Sequence, residues 1–309
     1  MGNKNSTTNK IFDVVILTDN RYIKPEKTDW YINQVLLEDK ILQKALENEG
    51  LIVCKKDWAD TNFDWSSTKH AIFRTTWDYF ERFDEFFNWI SLTKHKTTFI
   101  NSDKIVNWNI DKHYLQDLAQ SGINIAPTLF IEQGSNATLS QLFEKYNWTE
   151  VVIKPAISGA ARHTYRISSD NYMEYEQLFQ QLIANECMLF QEFLNNITSN
   201  GEISLIMIGG QYTHAVKKIA KKGDFRVQDD HGGSVEVYNP TLKEIDFAKK
   251  CIKSCPELPI YARVDIVYDN FNLPSLSELE LIEPELWFRN NPKSAELLAN
   301  KIFNLLLSS

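Results

Sequence analysis

Apolar and polar positions follow two different periodicities over the first hundred residues of the chain. Apolar runs predict strands at 12–19, 51–55, 71–79 and 97–102. Apolar residues at helical spacing predict helices at 35–50 and 83–95. The run at 12–19 is almost wholly apolar, as is typical of a buried parallel strand. Strands that alternate with helices in this way predict an α/β domain at the front of the chain.

The rest of the chain is richer in strands. Helical spacing covers 103–122, and further helices are predicted near 139–146 and 171–185 and at 241–254 and 294–307. Strands are predicted at 128–131, 151–155, 163–167, 188–193, 202–208, 211–219, 234–238, 261–269 and 274–283. We therefore divide the chain into a disordered tail at 1–10, the α/β domain at 11–102, connecting helices at 103–127 and two strand-rich units at 128–194 and 195–309.

Composition and charge restrict the class of protein. Hydrophobic residues make up 43% of the 309 residues and charged residues 24%, which is the balance of an ordinary globular protein. The formal net charge of −8 argues against a nucleic-acid coat and against binding to an anionic membrane. The first residues are polar and no long apolar run occurs, so we expect a cytoplasmic protein without a nucleic-acid or membrane partner.

The first candidate for chemistry is a lysine at the end of a strand. Lys154 ends the apolar strand VVIKP and precedes the loop 156–162, which is built mainly of small residues. An ammonium group on a rigid strand beside such a loop can bind phosphate oxygens. An ordinary lysine at a strand end is the alternative. The chain has only 11 glycines, so any loop that encloses phosphate is poor in glycine.

The second candidate is a group of carboxylates. Asp265 lies inside an apolar strand, and Glu278 and Glu280 alternate on the next strand, so that both point to one face. Carboxylates that converge from neighbouring strands can hold Mg²⁺ together with nucleotide phosphates. A solvated strand face is the alternative.

A third candidate is the strand end QEFL (191–194), which could bracket adenine, with Glu202 near enough to accept ribose hydroxyls.

The order and spacing of these groups resemble the ATP-grasp superfamily. Lys112, Lys154 with its loop, QEFL with Glu202, Asp265 and the pair at 278–280 carry the resemblance, which covers roughly residues 100–290. It implies an α/β (α+β) ATP-grasp fold, in which the N-terminal α/β domain holds substrate, the unit at 128–194 is a lid and the unit at 195–309 is the core. ATP and Mg²⁺ are the implied cofactors, and the implied reaction activates a carboxylate as an acyl phosphate for attack by an amine-type nucleophile.

The resemblance also implies roles in nucleotide binding. Lys112 and Lys154 correspond to the two phosphate-binding lysines, and the residues that correspond to the loop over the phosphates are Ser158, Gly159 and Ala160. The adenine-binding hinge corresponds to Gln191, Glu192, Phe193 and Leu194, and the ribose carboxylate to Glu202. The loop holds one glycine where many relatives have several, which implies slower or stiffer closure.

Metal binding and catalysis are implied in the same way. Asp265, Glu278 and Glu280 correspond to the Mg²⁺ ligands, and Glu280 replaces the usual final Asn, with Glu283 as the alternate third ligand. Arg263 corresponds to the arginine that stabilises the developing oxyanion, so Arg263 and Lys154 are the implied catalytic residues.

Three local phrases resemble the branch that contains the D-cycloserine-forming cyclo-ligase, glutathione synthetase and the ribosomal-protein glutamate ligase. They are RTTWDY (74–79), GDFRVQDDHGG (223–233) and ELELIEPELWF (278–288). The second phrase implies that Arg226 contacts nucleotide and that His231 and Gly232 lie in a substrate loop. Lys217 or Lys218 is a further candidate for neutralising the triphosphate, and a solvated strand face is the alternative.

RTTWDY lies where the third predicted strand ends, and ligands of α/β sheets bind at such ends. Arg74 could hold a substrate carboxylate, and Trp77, Asp78 and Tyr79 could shape an amine or ring pocket. A structural turn with an aromatic plug is the alternative. We expect an ATP- and Mg²⁺-dependent ligase for a small amino-acid-like substrate, with a homodimer possible by analogy. The alternatives are a cyclo-ligase, a peptide-modifying ligase and a nucleotide-binding protein without ligase activity.

Overall fold

The computed structural model describes residues 10–221, 224 and 232–308, which form three β-sheets with helices packed on them. The first sheet is parallel, with strand order β2-β1-β3-β4. Its elements are β1 (Phe12–Thr18), α1 (Trp30–Asn48), β2 (Val53–Asp57), β3 (Thr68–Thr75), α2 (Phe83–Thr93) and β4 (Thr98–Ile100), with short 3-10 turns at Asn20–Tyr22 and Trp65–Ser67. The predicted α/β front of the chain is confirmed.

Two boundaries in this first unit differ from the prediction. Helix α1 begins at Trp30 rather than at 35, because the Asp29 carboxylate accepts a hydrogen bond from the Ile32 amide at 2.8 Å and caps the helix. Strand β3 ends at Thr75 rather than at 79, because the following residues turn, with the Tyr79 amide bound to the Thr76 carbonyl. The predicted tail at 1–10 lies outside the described residues except for Lys10, whose ammonium binds the Thr68 carbonyl at 2.6 Å.

The predicted helical stretch at 103–122 is two helices, α3 (Asp103–Asn109) and α4 (Tyr114–Gln120). The helix is interrupted at residues 110–113, where the Lys112 amide donates a hydrogen bond to the Ala156 carbonyl at 2.9 Å. This bond crosses to the next unit of the chain, so the interruption is held by tertiary structure.

The second and third sheets are antiparallel. The lid sheet has the order β5-β8-β6-β7, and the core sheet has the order β11-β10-β9-β12-β13. The lid contains β5 (Thr128–Ile131), α5 (Leu139–Tyr146), β6 (Glu150–Pro155), β7 (Tyr165–Ser168), α6 (Tyr172–Asn185) and β8 (Met188–Glu192). The core unit contains α7 (Asn196–Asn200), β9 (Glu202–Ile208), β10 (Gln211–Ile219), β11 (Ser234–Tyr238), α8 (Leu242–Lys253), β12 (Tyr261–Tyr268), β13 (Pro274–Glu280) and α9 (Pro292–Leu307).

Strand β13 ends at Glu280, whereas the sequence predicts that it continues to residue 283. The next residue pairs with a side chain instead of a strand, because the Leu281 amide donates to the Asn109 side-chain oxygen at 2.9 Å. The Asn109 amide group in turn donates to the Leu279 carbonyl at 2.8 Å. Residues beyond Glu280 therefore leave the sheet and form a loop toward the front unit.

The parallel sheet and the core sheet share one hydrophobic core. Val14 and Ile16 of β1 belong to the same buried cluster as Ile206 of β9, Tyr261 of β12 and Phe288. Helix α9, at the end of the chain, packs against α1 near its beginning. Burial of this much apolar surface joins the two units firmly, so both can supply walls to one site. Across the described ranges, no helix combines the length and the apolar character needed to cross a bilayer.

Candidate active site

A cavity of about 320 Å³ lies between the lid sheet, the core sheet and the front α/β unit. Most of the residues predicted from the sequence line it. They are Trp77, Tyr79, Lys112, Lys154, Ser158, Gly159, Ala160, Gln191, Glu192, Phe193, Leu194, Glu202, Arg263, Asp265, Glu278, Glu280 and the alternate Glu283. Four predicted residues, Arg74, Asp78, Lys217 and Gly232, do not line the cavity, and Arg226 and His231 lie outside the described residues.

Two lysines enter the cavity from different units. The Lys112 ammonium donates to the Ser158 carbonyl at 2.8 Å and lies 3.1 Å from a Glu278 carboxylate oxygen. The Lys154 ammonium, on β6, has no hydrogen-bond partner among the described residues, and burial lowers its pKa more than the nearby Glu278 carboxylate raises it. A half-buried cation without a hydrogen-bond partner is ready to bind an anion, because an anion would replace the hydration that it has lost.

The small-residue loop at 156–162 packs against the front unit. A Cβ atom on Gly159 would lie 2.6 Å from Phe80 Cε1 and 2.8 Å from Phe80 Cδ1, so a larger residue would have to displace this ring or the loop. Ala160, Ala161 and His163 have φ values of 48°, 53° and 49°, in the region that favours glycine. The loop therefore adopts glycine-type conformations with little glycine, which agrees with the composition.

We expect Gly159→Ala to raise the KM for ATP about tenfold, which corresponds to the ~1.4 kcal/mol typical of a mild steric overlap. The added methyl group would push the loop away from Phe80 and from its closed position. Steady-state kinetics at varied ATP would measure the change. The double variant Gly159→Ala/Phe80→Leu should recover most of the affinity because the smaller side chain leaves room, and a KM unchanged in the single variant would contradict the role of this contact.

The carboxylates meet across two neighbouring strands of the core sheet. In the antiparallel pairing of β12 with β13, Arg263 faces Glu280 and Asp265 faces Glu278. Arg263 binds both oxygens of Asp265, with its Nε at 3.0 and 3.1 Å, and also binds Glu280. All four side chains line the cavity. Register and alternation along the strands therefore produce one compact cluster of charge.

The charges in this cluster shift one another's pKa values. Burial alone would raise the pKa of Asp265, but Arg263 and Lys218 outweigh burial and lower this pKa to about 2. The pKa of Glu278 is also lowered, because Lys112 and Lys154 outweigh its burial. Burial raises the pKa of Glu280 to about 8, with Glu278 and Asp265 adding to the shift against Arg263. Glu280 therefore keeps its proton to higher pH than an exposed carboxyl group does, first because it is buried and then because two carboxylates lie close to it.

Lys218, rather than Lys217, belongs to this cluster. Lys218 pairs with Glu202 in the β9–β10 register, forms an ion pair with it, and lies 3.3 Å from an Asp265 oxygen. Lys217 points to the other face, with its ammonium 6.0 Å from the centre of the Tyr238 ring. The sequence left both lysines open because alternation shows only that they face opposite ways. The Ser204 hydroxyl donates a hydrogen bond to Asp265 at 2.6 Å. The sequence did not predict this contact, because only the β9–β12 register places Ser204 opposite Asp265.

We expect Lys218→Met to lower the free energy of unfolding by about 3 kcal/mol, because it leaves the buried carboxylates of Glu202 and Asp265 without their shared ammonium. Lys217→Met is the matched control on the adjacent position and should change stability by less than about 0.5 kcal/mol. Urea denaturation of both variants measures the difference. Equal losses in the two variants would show that the face of the strand does not matter.

The strand end QEFL (191–194), at the end of β8 in the lid sheet, forms one side of the cavity. The Gln191 side chain donates to the Thr128 hydroxyl at 2.7 Å, and the Arg166 guanidinium lies 3.9 Å from the centre of the Phe193 ring. Glu192 accepts a hydrogen bond from Asn270 at 3.2 Å. Glu202 lies deeper, bound by Lys218 and by the Ser277 hydroxyl at 2.9 Å. The predicted hinge residues and Glu202 thus line one cavity, although Glu202 is held within the charged cluster.

Aromatic side chains close the cavity on the side of the front unit. The Trp77 indole donates to the Glu283 carbonyl at 3.0 Å and so joins the front unit to the loop after β13. Burial raises the pKa of Glu283 to about 7, against a hydrogen bond from Tyr79. Trp287, which sequence reasoning missed, lies under Arg263 at 5.2 Å. This wall has apolar faces with a few polar groups, as small-molecule pockets commonly do.

The structure does not support two of the predicted substrate residues. Arg74 is 1% exposed and pairs with Glu38 at 3.3 Å between the Tyr261 and Phe288 rings, so it cannot reach a substrate. Asp78 points away from the cavity, where it accepts hydrogen bonds from the Trp58 indole at 2.7 Å and from Arg82 at 2.9 Å. The structural-turn alternative therefore holds for these two residues, while Trp77 and Tyr79 do face the cavity.

Glu38 positions the loop that carries Glu283 and Trp287. Its carboxylate accepts hydrogen bonds from the Leu286 and Phe288 amides, both at 2.8 Å. Burial raises the pKa of Glu38 to about 7, although Arg74 lowers it. A pKa that is higher in the folded chain means that stability is lost as the pH rises through it.

We expect Arg74→Met to destabilise the protein more at high pH than at low pH. Without the guanidinium, the pKa of Glu38 rises further. For each pH unit between the old and the new pKa, the free energy of unfolding falls by at most about 1.4 kcal/mol more than in the wild type. Urea denaturation at pH 6, 7 and 8 measures this slope. The control Glu38→Gln/Arg74→Met removes the titrating group and should flatten the added dependence. A loss in the free energy of unfolding that is the same at every pH would contradict the electrostatic pairing of Arg74 with Glu38.

These features define the class of the protein. An antiparallel lid and core that enclose lysines, an arginine and a carboxylate cluster, behind a parallel α/β unit, form an ATP-dependent ligase of the ATP-grasp fold. The family model for the RimK-like ATP-grasp domain matches residues 111–278, more than half of the chain, so the chain belongs to the RimK-like ATP-grasp family. These matches confirm the predicted superfamily and fold. They also confirm the predicted class of enzyme, an ATP-dependent ligase that forms carbon–nitrogen bonds.

Similar proteins extend the match to the front unit. The family model for the N-terminal domain of D-cycloserine synthetase DcsG matches residues 14–101. The cycloserine biosynthesis protein DcsG of Streptomyces lavendulae is 28% identical over 265 residues, covering 79% of this chain and 86% of that protein. The crystal structure of D-cycloserine synthetase DcsG superimposes with a TM-score of 0.84 at 24% identity, over 95% of this chain and 99% of that one.

A more distant structure shares the fold. D-alanine–D-alanine ligase from Bacillus anthracis, complexed with ATP, gives a TM-score of 0.64 at 11% identity and covers 96% of this chain and 98% of its own. At this identity the likeness concerns the arrangement of the three sheets and not the choice of substrate.

Proposed function

We propose that this enzyme activates the carboxylate of a small amino-acid-like substrate as an acyl phosphate and joins it to an amine-type nucleophile, with release of ADP and phosphate. The observation that supports this most directly is the convergence of Lys112, Lys154, Arg263 and the carboxylate cluster in one cavity beneath the aromatic wall of the front unit. Cations suited to phosphate and a wall suited to a small organic molecule adjoin each other there.

In this proposal, nucleotide binds between the lid and the core. The strand end at 191–194 receives the adenine, and Glu202 accepts the ribose hydroxyls. The ammonium groups of Lys112 and Lys154 bind the phosphates, with backbone N–H groups of Ser158, Gly159 and Ala160 folded over them. The closed contact of Gly159 with Phe80 fits a loop that shuts the site and excludes water.

The carboxylate cluster fits a magnesium ion. Its donors are hard oxygens, and a divalent cation would offset the repulsion of Glu280 by Glu278 and Asp265, which adds to the effect of burial on its pKa. Asp265, Glu278 and Glu280 are the proposed ligands because the β12–β13 register sets them side by side, whereas Glu283 lies beyond the strand and is bound by Tyr79. When bound, the ion would neutralise phosphate charge during transfer.

The chain's own residues would act mainly through positioning and charge. Arg263, fixed by Asp265 and Glu280, presents a rigid guanidinium to the oxyanion that develops as the nucleophile attacks the acyl group. Lys154 holds the transferred phosphoryl group in line with the carboxylate. Trp77 and Tyr79 orient the rest of the substrate. No side chain needs to become covalently attached, because pre-oriented reactants supply most of the rate enhancement.

One observation favours ring closure within a single substrate. The front unit, which supplies the aromatic wall, matches the N-terminal domain of D-cycloserine synthetase, whose product name indicates a cyclic compound. We therefore propose that carboxylate and nucleophile belong to one molecule. Ligation between two molecules is the second candidate.

Phosphate release from ATP, combined with mass spectrometry of the product, tests both candidates. The panel contains single amino acids, pairs of amino acids, and amino acids whose side chain ends in an amine-like nucleophile. Cyclisation gives a product lighter than one substrate by one water, and ligation between molecules gives the sum of two substrates less one water. ATP turnover with no new product from any small compound, but with modification of peptides, would overturn the proposed substrate class.

A further inference from the structure

A second cluster of metal-ligating side chains lies outside the cavity, at one end of the lid sheet. It consists of His113, Glu132 and Cys187, each of which offers one ligand atom, and these atoms all lie within 4.8 Å of one another. His113 Nε2 lies 3.2 Å from Glu132 Oε1 and 3.9 Å from Cys187 Sγ. None of the three lines the cavity.

The fold brings these residues together from three separate segments. Glu132 directly follows β5 and Cys187 directly precedes β8, so both extend from the Ile131–Met188 pair at the end of the lid sheet. His113 lies in the interruption between α3 and α4, at the first turn of α4. The cluster thus joins the lid to a helix that packs in the core cluster with β9 and β12.

The histidine is oriented as a metal ligand would be. Its Nδ1–H donates to the Asp111 carboxylate at 2.6 Å, and Asp111 also accepts the His113 backbone amide at 2.9 Å. The imidazole ring stacks on Phe130, with the centroids 4.2 Å apart. Because Asp111 accepts the Nδ1 proton, Nε2 is the ring nitrogen left to bind a metal ion in the neutral imidazole. That nitrogen, Nε2, faces Glu132 and Cys187.

The spacing suits a tetrahedral ion of zinc type. With Zn–N and Zn–O bonds of about 2.1 Å and a Zn–S bond of about 2.3 Å, tetrahedral geometry places N and O about 3.4 Å apart and N and S about 3.6 Å apart. The observed 3.2 and 3.9 Å differ from these values by a few tenths of an ångström. Glu132 is 71% exposed, so its side chain can adjust and the fourth position is open to water.

We propose that His113, Glu132 and Cys187 form a binding site for one zinc-type transition-metal ion, oriented by Asp111, which ties the lid to helix α4. The mixed nitrogen, oxygen and sulfur donors select this class of ion over Mg²⁺, which prefers oxygen alone.

The site is coupled to the cavity through the backbone. The Cys187 carbonyl accepts from the Ala156 amide, and the Ala156 carbonyl accepts from the Lys112 amide, both at 2.9 Å. His113 is the next residue after Lys112. An ion held here adds a side-chain link parallel to these two hydrogen bonds, so it should restrict opening of the lid and lower ATP turnover.

Competition between the metal-free enzyme and a chromophoric chelator for Zn²⁺, with excess Mg²⁺ present, tests the site. We expect one ion per chain, with binding weakened at least tenfold in Cys187→Ser and His113→Gln and 10- to 100-fold in Asp111→Asn. Cys255→Ser and His95→Gln, a half-buried cysteine and an exposed histidine elsewhere, serve as controls that should bind as the wild type does. Equal binding in Cys187→Ser, or no ion held by the wild type, would overturn the proposal.

Two further measurements separate this site from the magnesium cluster. Co²⁺ should give a thiolate charge-transfer absorption in the wild type that is lost in Cys187→Ser. One equivalent of Zn²⁺ should lower ATP turnover at least twofold in the wild type and leave Cys187→Ser unchanged. Equal inhibition of both proteins would place the effect elsewhere and overturn the coupling to the lid.

Discussion

Lys154→Ala abolishes most ATP turnover while the folded protein remains at least as stable as the wild type. The ammonium has no hydrogen-bond partner among the described residues, and burial lowers its pKa more than Glu278 and Glu202 raise it, so its charge adds no net stability to the folded chain. A phosphate-binding cation in a site that excludes water is nevertheless worth about 10²- to 10³-fold in rate. Activity and stability should therefore change in opposite directions, unlike in Lys218→Met, where stability falls.

Phosphate release and urea denaturation of the same sample measure both quantities. Lys145→Ala is a matched control, because Lys145 lies on α5 of the same lid but does not line the cavity, and its ammonium lies 5.1 Å from the centre of the Tyr146 ring. That variant should keep its turnover and its stability. Turnover like that of the wild type in correctly folded Lys154→Ala would disprove the assignment of this lysine.

Arg263→Lys should bind nucleotide nearly as well as the wild type but lose about 10²- to 10³-fold in ligation. The lysine keeps the positive charge between Asp265 and Glu280, so the fold survives, but it lacks the planar fork that binds two groups at fixed angles. Arg263→Ala would lose ligation too, together with about 3–5 kcal/mol of stability, because it removes the guanidinium bound to Glu280 and leaves Asp265 with Lys218 and Ser204 alone. The lysine variant therefore isolates the chemical role.

Displacement of a fluorescent nucleotide measures binding, and product formation by mass spectrometry measures ligation. Arg82→Lys is the control, since Arg82 also binds two carboxylates, Asp78 and Glu85, but lies outside the cavity. It should form product at the rate of the wild type. Equal product formation by Arg263→Lys would refute the oxyanion role while leaving nucleotide binding intact.

The sequence predicted the charged cluster well because its members lie on strands with clear alternation. Arg263 and Asp265 share one face of a strand whatever its neighbours are, and so do Glu278 and Glu280. The candidate substrate residues of RTTWDY were harder to interpret. They follow a strand in a turn, where no period relates one side chain to the next, and only Trp77 and Tyr79 face the cavity.

Arg74 shows why a residue type does not determine a role. An arginine at the end of a parallel strand is well placed for a substrate carboxylate, yet here Glu38 of α1, 36 residues earlier, supplies the carboxylate. Helix α1 occupies this position because it packs against α9 at the far end of the chain. No local pattern contains that contact.

The sequence by itself determined the order of strands and helices, the ATP-grasp resemblance and the chemical groups that converge on the cavity. Period and residue type are local properties, and they persist in any fold that keeps those elements. Only the tertiary structure decided that Lys218 rather than Lys217 joins the cluster, that Ser204 supports Asp265, and that Lys112 lies in an interruption held by Ala156. Strand register and packing between distant segments set these contacts, and both depend on the whole chain.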